Sequence, residues 1–234
     1  MNSKRFKHVI LTRFNTKEDN DGKLLYDKPG ADEWMEDRMP LFEETKKSVL
    51  AQTAGDFEWV ISLDERTPSK YVRKIFTHPK ITIVNCNILL ALDEIEIDAP
   101  WVITTRLDCD DLLTPGAIHA IQRCFEPKLK VIDIGVVRLD NKTGKVYLGD
   151  VGNGRSMFLS LIEPRERMVG VFCRPHSVLQ TGYPMKGTFK DGFSRYTPLP
   201  LEFVNKKRAV MVCHGNNVAN HIKGPCIGEL KDFM

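Results

Sequence analysis

The segment WVITTRLDCDDLLTPGAI, residues 101–118, decides the fold and contains the most informative side chains of the chain. It begins with apolar and β-branched residues, a pattern typical of a buried strand. Three carboxylates follow within four positions, at Asp108, Asp110 and Asp111, and Pro115 marks the first turn of a helix. The segment therefore predicts a strand that carries a cluster of acidic side chains into a tight loop before a helix.

Short apolar runs alternate with helical patterns through the first half of the sequence. They predict strands at residues 8–14, 57–63, 81–84 and 101–105, and helices after residue 31 with a break at Pro40, at 69–76, at 89–97 and at 115–125. Such alternation is typical of βαβ units, so we expect an α/β, Rossmann-like fold with a mostly parallel sheet and helices on both faces. Ligands bind these sheets outside the carboxyl ends of the strands, here after Phe14, Leu63 and Thr105.

The second half of the sequence has a different pattern. Residues 131–138 and 145–148 predict a β-hairpin around the turn at 140–144, and short strands and loops follow to the C-terminus. We place a boundary near residue 128 within one compact domain. We expect residues 1–128 and residues 129–234 to form the two halves of that domain.

Composition and charge exclude several classes of protein. The 234 residues carry a formal net charge of +3, which is too small to indicate a nucleic-acid-binding protein by itself. No apolar run approaches the roughly 18 residues of a membrane helix, and the N-terminus has no signal-peptide core. The six cysteines are scattered without a CxxC pair, which is typical of a reduced, cytosolic protein. We therefore expect a cytoplasmic protein without a membrane span.

The acidic loop after residue 107 has two interpretations. Like charges so close together repel each other unless a cation or hydrogen-bond donors compensate. Mg²⁺ or Mn²⁺ is a suitable cation, because these ions accept one or two carboxylates and complete their coordination with phosphate oxygens and water. The alternative is a helix cap with a turn, since aspartate is common where helices begin.

The string LDCDD at residues 107–111, followed by LTPGA at 113–117, resembles the DxD motif of GT-A glycosyltransferases. With Thr105 and Arg106 before it, the string is similar to a narrower group, the rhamnosyltransferases. Residues 8–15, 57–68 and 214–220 resemble other segments of that group, and so do Arg38, Phe42, Ser48 and the pair Gln52-Thr53 in the first helix. The similarity covers about residues 8–118 and returns near 210–221.

The resemblance implies a GT-A fold, a nucleoside-diphosphate sugar donor and a divalent metal, Mn²⁺ or Mg²⁺. It implies that Asp64 contacts the donor's base, that Asp108 contacts the ribose, that Asp110 ligates the metal and that Asp111 supports the loop or touches the sugar. Thr12 lies in the segment that resembles the group's first strand and is predicted to bind the donor. Arg13 and Arg106 are predicted to bind the diphosphate, because a guanidinium pairs well with phosphate oxygens. The alternative for both arginines is a salt bridge to a nearby carboxylate.

The second half supplies the remaining candidate residues. His214 follows an apolar strand and precedes a glycine, so it is a candidate ligand of the metal or the diphosphate; a hydrogen-bonded structural histidine is the alternative. An inverting transferase needs a carboxylate base. Asp191 is our candidate, with Glu163 and Glu166 as competitors and a plain turn aspartate as the alternative.

The resemblance thus implies a metal-dependent glycosyltransferase, with a glycan or a lipid-linked sugar as the expected acceptor. In that case we expect residues 1–128 to bind the nucleotide-sugar donor and residues 129–234 to bind the acceptor. A hydroxymethylated base in DNA is an alternative acceptor, because the protein is small, slightly basic and without a membrane anchor. A third hypothesis is a non-catalytic module that binds a nucleotide sugar or a glycan.

Overall fold

The fold is taken from a computed structural model of the chain. The structure describes residues 4–16, 23–149, 157–173, 179, 183–184, 196–197, 199–214, 222 and 224–234. The predicted catalytic base, Asp191, lies outside the described residues.

Four parallel strands from the first half of the chain form one side of a large sheet. They are β1 (Lys7–Arg13), β2 (Glu58–Ser62), β3 (Ile81–Val84) and β4 (Trp101–Arg106), arranged in the order β4-β1-β2-β3. The interior residues of β1 and β4 are buried, as expected for strands that are covered on both faces. The predicted parallel strands are therefore confirmed.

Strands from the second half extend the same sheet. They are β6 (Lys130–Asp140), β7 (Lys145–Leu148), β8 (Leu159–Pro164), β11 (Leu201–Cys213) and β12 (Cys226–Glu229), while β9 (Tyr183–Pro184) and β10 (Tyr196–Thr197) form a separate pair. The short strand β5 (Leu112–Leu113) of the first half joins this sheet by pairing with β11. The hairpin of β6 and β7 is confirmed. Because β8 is antiparallel to both β4 and β6, β6 is parallel to β4, and β11 is parallel to β6.

The described α-helices are α1 (Ala31–Leu50), α2 (Ser69–Ile75) and α3 (Ala117–Arg123). The predicted break at Pro40 is wrong, because α1 continues through the proline. A proline inside a helix costs about 3 kcal/mol. The buried face of α1, which includes Met35, Phe42 and Val49, offsets this cost by packing against the sheet.

The helix predicted at residues 89–97 is also wrong, since this segment consists of turns. The side chain of Asn87 accepts a hydrogen bond from the backbone N–H of Leu89 at 3.0 Å, a local bond that competes with helix formation. Leu92 and Ile97 are buried and fix the turns to the core, which explains the apolar residues of the pattern.

The described α-helices cover one face of the sheet, whereas we predicted helices on both; the short 3₁₀ helix Val171–Cys173 lies on the other face. Buried residues of α1, α2 and α3 all belong to one hydrophobic cluster, together with Ile10 of β1 and Trp59 of β2. The alternate residues Val9 and Val60 point to the opposite face. Among the described residues, the turns at 88–97 and residues 168–173 cover that face. The fold is therefore mixed α/β, and the two faces of the sheet are covered by different kinds of structure. None of the described helices is long and apolar enough to span a bilayer.

Candidate functional site

Six strands end at the same edge of the sheet, because β1, β2, β3, β4, β6 and β11 are mutually parallel. Polar side chains lie at or after the ends of these strands: Arg13, Asp64, Asn85, Asp108, Asn141 and His214. This edge is where parallel α/β sheets bind their ligands. The acidic loop after β4 lies between the ends of β2 and β3 on one side and those of β6 and β11 on the other.

A cavity of about 250 Å³ opens at the ends of β2 and β3, and Asp64, Arg66 and Asn85 are among the residues that line it. The Asp64 carboxylate is buried and accepts hydrogen bonds from Arg66 Nε at 2.9 Å and Nη2 at 2.7 Å. These bonds lower the pKa of Asp64 and keep it ionised. Asn15 fixes this loop, although it was not among the residues selected from the sequence. Its Oδ1 accepts a hydrogen bond from the Asp64 backbone N–H at 2.8 Å, and its Nδ2 donates one to Thr67 Oγ1 at 2.9 Å.

Two arginines lie beside Asp108. Arg106 Nη2 is 3.1 Å from Asp108 Oδ2, so the salt bridge considered in the sequence analysis is present. Burial and the nearby Arg106 lower the pKa of Arg13. The ring of Phe172 faces both guanidinium groups, with its centroid 5.6 Å from Arg13 Cζ and 4.9 Å from Arg106 Cζ. Phe172 thus holds two cationic groups together at this edge, a contact that no sequence pattern indicated.

Asp110 and His214 meet although they are far apart in the sequence. His214 Nε2 is 2.9 Å from Asp110 Oδ2, and both side chains are mostly buried. Arg38 of α1 donates a hydrogen bond to the same carboxylate oxygen and lies 3.1 Å from His214 Nε2. Arg38 is held against the Trp34 ring, 5.1 Å from its centroid. The guanidinium therefore supplies the positive charge that this carboxylate requires when no metal is bound.

Asp111 links the acidic loop to β11. Its side chain is buried, and its Oδ1 accepts the backbone N–H of Val212 at 2.9 Å. Burial raises the pKa of Asp111 well above its usual range, and the neighbouring Asp110 and Asp108 raise it further. The hydrogen bond fastens the acidic loop to β11, the strand that ends before His214.

Other predicted residues lie elsewhere in the fold. Thr12 is fully buried and accepts a hydrogen bond from Trp59 Nε1 at 2.9 Å, so its hydroxyl is engaged within the core. Glu163 is buried, and its two carboxylate oxygens accept the backbone N–H groups of Val169 and Gly170, each at 2.8 Å. Glu166 lies in an exposed turn, Arg165–Arg167. Neither glutamate has the free, site-facing carboxylate that a general base requires.

The donor set at Asp110 and His214 is compatible with a divalent cation. No group of three or more histidine, cysteine or acidic side chains gathers for a metal within the part of the chain that the structure describes. Two protein ligands are sufficient where phosphate oxygens and water complete the coordination. A carboxylate with an imidazole suits Mn²⁺ better than Mg²⁺, which prefers oxygen ligands.

A comparison with known protein families matches the first part of the chain. Residues 5–130, just over half of the chain, match the family described as "Putative rhamnosyl transferase". A search of curated proteins gave no significant match. The matched range contains the residues that line the cavity beside Asp64, as well as Arg13, Arg106 and the whole acidic loop. His214 lies beyond the matched range.

Proposed function

Because the chain belongs to the rhamnosyl transferase family that its residues 5–130 match, we propose that it is a metal-dependent glycosyltransferase of the GT-A fold. It moves a sugar from a nucleoside-diphosphate sugar to a hydroxyl group of a glycan. The family match supports the transfer of a sugar, and the geometry of the sheet edge supports the donor and the metal.

The donor extends along the sheet edge in this proposal. The base enters the cavity beside Asp64, and the ribose contacts Asp108. Arg13 and Arg106 bind the diphosphate oxygens, since charge-assisted bonds from guanidinium groups suit phosphate. Thr12 is not part of the proposed site, because its hydroxyl is already bonded within the core.

Asp110 and His214 hold Mn²⁺ or Mg²⁺ in this proposal. A bound divalent ion stabilises the negative charge that builds on the leaving diphosphate. A cation held by Asp110 would replace Arg38 as the positively charged partner of this carboxylate. We retain Asp191 as the proposed base that accepts the proton of the acceptor hydroxyl in an inverting reaction.

The observation that carries the proposal is the 2.9 Å contact between His214 Nε2 and Asp110 Oδ2, which joins two residues 104 positions apart at the expected ligand edge. Its test is the thermal stability of the protein with nucleoside diphosphates and nucleotide sugars, with and without Mn²⁺. A ligand at a hundred times its Kd stabilises a protein by about 2.7 kcal/mol.

We expect a metal-dependent rise in Tm for one nucleotide. The rise should be lost in Asp110→Asn and kept in the surface control Asp56→Asn. A wild-type response of Asp110→Asn would contradict the metal site. Nucleotide binding without sugar transfer to any glycan would favour the non-catalytic module, and steeply salt-dependent transfer to hydroxymethylated DNA would favour the DNA acceptor.

A further inference from the structure

A second cavity, of about 470 Å³, lies at the ends of β6 and β11 and shares none of its lining residues with the cavity beside Asp64. Trp34, Asp37, Pro40 and Leu41 of α1 line it together with Asn141, which follows β6, and His214. Arg38 lines the same cavity and donates to Asp110, so the cavity borders the proposed metal site. We propose that this cavity binds a neutral hexopyranose unit of the acceptor glycan, an inference that rests on the proposed transferase function.

The order of the strands places this cavity on the acceptor side. The cavity beside Asp64 lies at β2 and β3, and the acidic loop follows β4, which is separated from β6 by β8. A donor whose base lies beside Asp64 and whose diphosphate reaches Asp110 ends with its sugar near the second cavity. An acceptor bound in the second cavity lies next to the anomeric carbon of the donor sugar, close to the residues proposed to stabilise the leaving diphosphate.

The apolar lining of the cavity suits a sugar ring. Trp34 is partly exposed and is fixed in place by the edge of Phe14, with ring centroids 6.0 Å apart, and by Arg38. Pro40 and Leu41 add aliphatic surface. Small-molecule sites combine such apolar walls with a few polar groups that fix orientation, and a pyranose presents both C–H faces and hydroxyl groups.

The polar lining selects hydroxyl groups over phosphates. The side chains of Asp37 and Asn141 make no hydrogen bond or ion pair with any residue that the structure describes. The carboxylate accepts hydrogen bonds from hydroxyl groups, and the amide both donates and accepts. Arg38 and His214 also line the cavity, but both are bound to Asp110. The carboxylate of Asp37 therefore disfavours a phosphate-bearing ligand, such as a DNA strand or a second nucleotide, in this cavity.

The test is a titration with methyl α-D-mannopyranoside, methyl β-D-glucopyranoside, methyl β-D-galactopyranoside and methyl α-L-rhamnopyranoside, followed by tryptophan fluorescence and saturation-transfer NMR. We expect at least one glycoside to bind and to change the fluorescence of the wild type. Trp34→Phe should lose most of the fluorescence change, because Trp34 lines the cavity, whereas Trp59 is buried and Trp101 is the first residue of β4, at the end of that strand opposite the acidic loop.

Asp37→Asn should raise the Kd of that glycoside about tenfold or more, because hydrogen bonds to charged groups contribute about 1.5–3 kcal/mol. Asp32→Asn is the matched control, since it makes the same change on α1 outside the cavity. Nucleoside-diphosphate binding with Mn²⁺ should be the same in the wild type and in both variants.

The outcomes separate this inference from the proposed function. If nucleotides bind but no glycoside does, or if Asp32→Asn weakens the glycoside as much as Asp37→Asn does, the cavity assignment is wrong and the transferase proposal stands. If a glycoside binds with the expected Asp37 dependence but no nucleotide binds, the cavity binds a sugar, but the transferase proposal is wrong and with it the role of that sugar as an acceptor. Displacement of the glycoside by a hydroxymethylated oligonucleotide would overturn the choice of a neutral sugar.

Discussion

His8 is a buried histidine whose environment makes the stability of the protein depend on pH. Its Nε2 lies 2.8 Å from Thr105 Oγ1, and burial lowers the pKa of the imidazole from 6.5 to about 3. Above pH 6.5 the imidazole is neutral in both the folded and the unfolded chain. Below pH 6.5 the unfolded chain takes up a proton that the folded protein does not, so the free energy of unfolding decreases as the pH falls.

We expect His8 to contribute up to about 1.4 kcal/mol per pH unit to this decrease between pH 6 and pH 4. His8→Gln keeps a hydrogen-bonding group near Thr105 and removes the titration. Urea unfolding at pH 7.5, 6, 5 and 4.5 should therefore give a shallower pH dependence for the variant than for the wild type. If the free energy of unfolding depended on pH equally in the wild type and the variant, His8 of the folded protein would take up its proton in the same pH range as in the unfolded chain.

Arg38 and a divalent cation should compete for Asp110, because each is a positively charged partner of one carboxylate, to which Arg38 already donates a hydrogen bond. Arg38→Ala leaves a mostly buried Asp110 near Asp108 and Asp111, so without metal it should lower the free energy of unfolding by about 1–3 kcal/mol. Mn²⁺ should then raise the Tm of Arg38→Ala more than that of the wild type.

Arg38→Lys is the control for this comparison, because it retains a positive charge beside the carboxylate. Its response to Mn²⁺ should lie closer to that of the wild type. The same Mn²⁺ response in the alanine variant and the wild type would show that the cation binds somewhere other than Asp110.

Glu163 joins strand β8 to the segment that carries Phe172. Its two oxygens accept the N–H groups of Val169 and Gly170, while Thr104 Oγ1 accepts the N–H of Val171 at 2.9 Å. Glu163→Gln replaces one accepting oxygen with a donor, so we expect a loss of about 2 kcal/mol of stability in urea unfolding. The variant should also bind nucleoside diphosphates more weakly, because the ring that holds Arg13 and Arg106 loses its support.

Glu166→Gln is the matched control, since Glu166 lies three residues away in an exposed turn. It should change neither stability nor nucleotide binding. If Glu163→Gln were as stable as the wild type, the carboxylate would not be what fixes this segment. If Glu163→Gln bound nucleotides normally but was destabilised, Phe172 would not organise the two arginines.

The strands were predictable because they contain short runs of apolar or β-branched residues, as in residues 9–11 and 59–61. Helix α1 was predictable only in part, since its continuation through Pro40 depends on the packing of its buried face. The segment 89–97 has an apolar pattern that resembles a helix, yet the local bond at Asn87 and the burial of two side chains produce turns instead. Sequence patterns report which residues are buried, but not which element covers each face of the sheet.

The residues of the acidic loop could be selected from the sequence because their spacing and charge are local properties. Their partners could not be derived in this way, because those contacts depend on tertiary structure. Arg38 is 72 positions from Asp110. Phe172 lies against Arg13 because Glu163 and Thr104 accept hydrogen bonds from the backbone of the segment that precedes it. His214 was selected from its strand and its glycine neighbour, and its proximity to Asp110 is new information from the fold.

One sheet connects the two halves of the chain, since β4 pairs with β1 from the first half and with β8 from the second. A fragment of residues 1–128 would expose the edge of β4 and lose β6 and β11, which pack against the helix-covered side. Exposed edges and lost burial leave such a fragment without a complete core.

We therefore expect the whole protein to unfold in one cooperative transition. Trp34, Trp59 and Trp101 all lie in the first half, so tryptophan fluorescence reports on that half, whereas far-UV circular dichroism reports on both. The two urea transitions should coincide, which is a test of two-state behaviour. The fragment of residues 1–128 should show no cooperative transition in either signal. Two separate transitions, or a fragment that unfolds cooperatively, would mean that residues 1–128 form an independent domain. Its hydrophobic core would then be complete without β8 and β6.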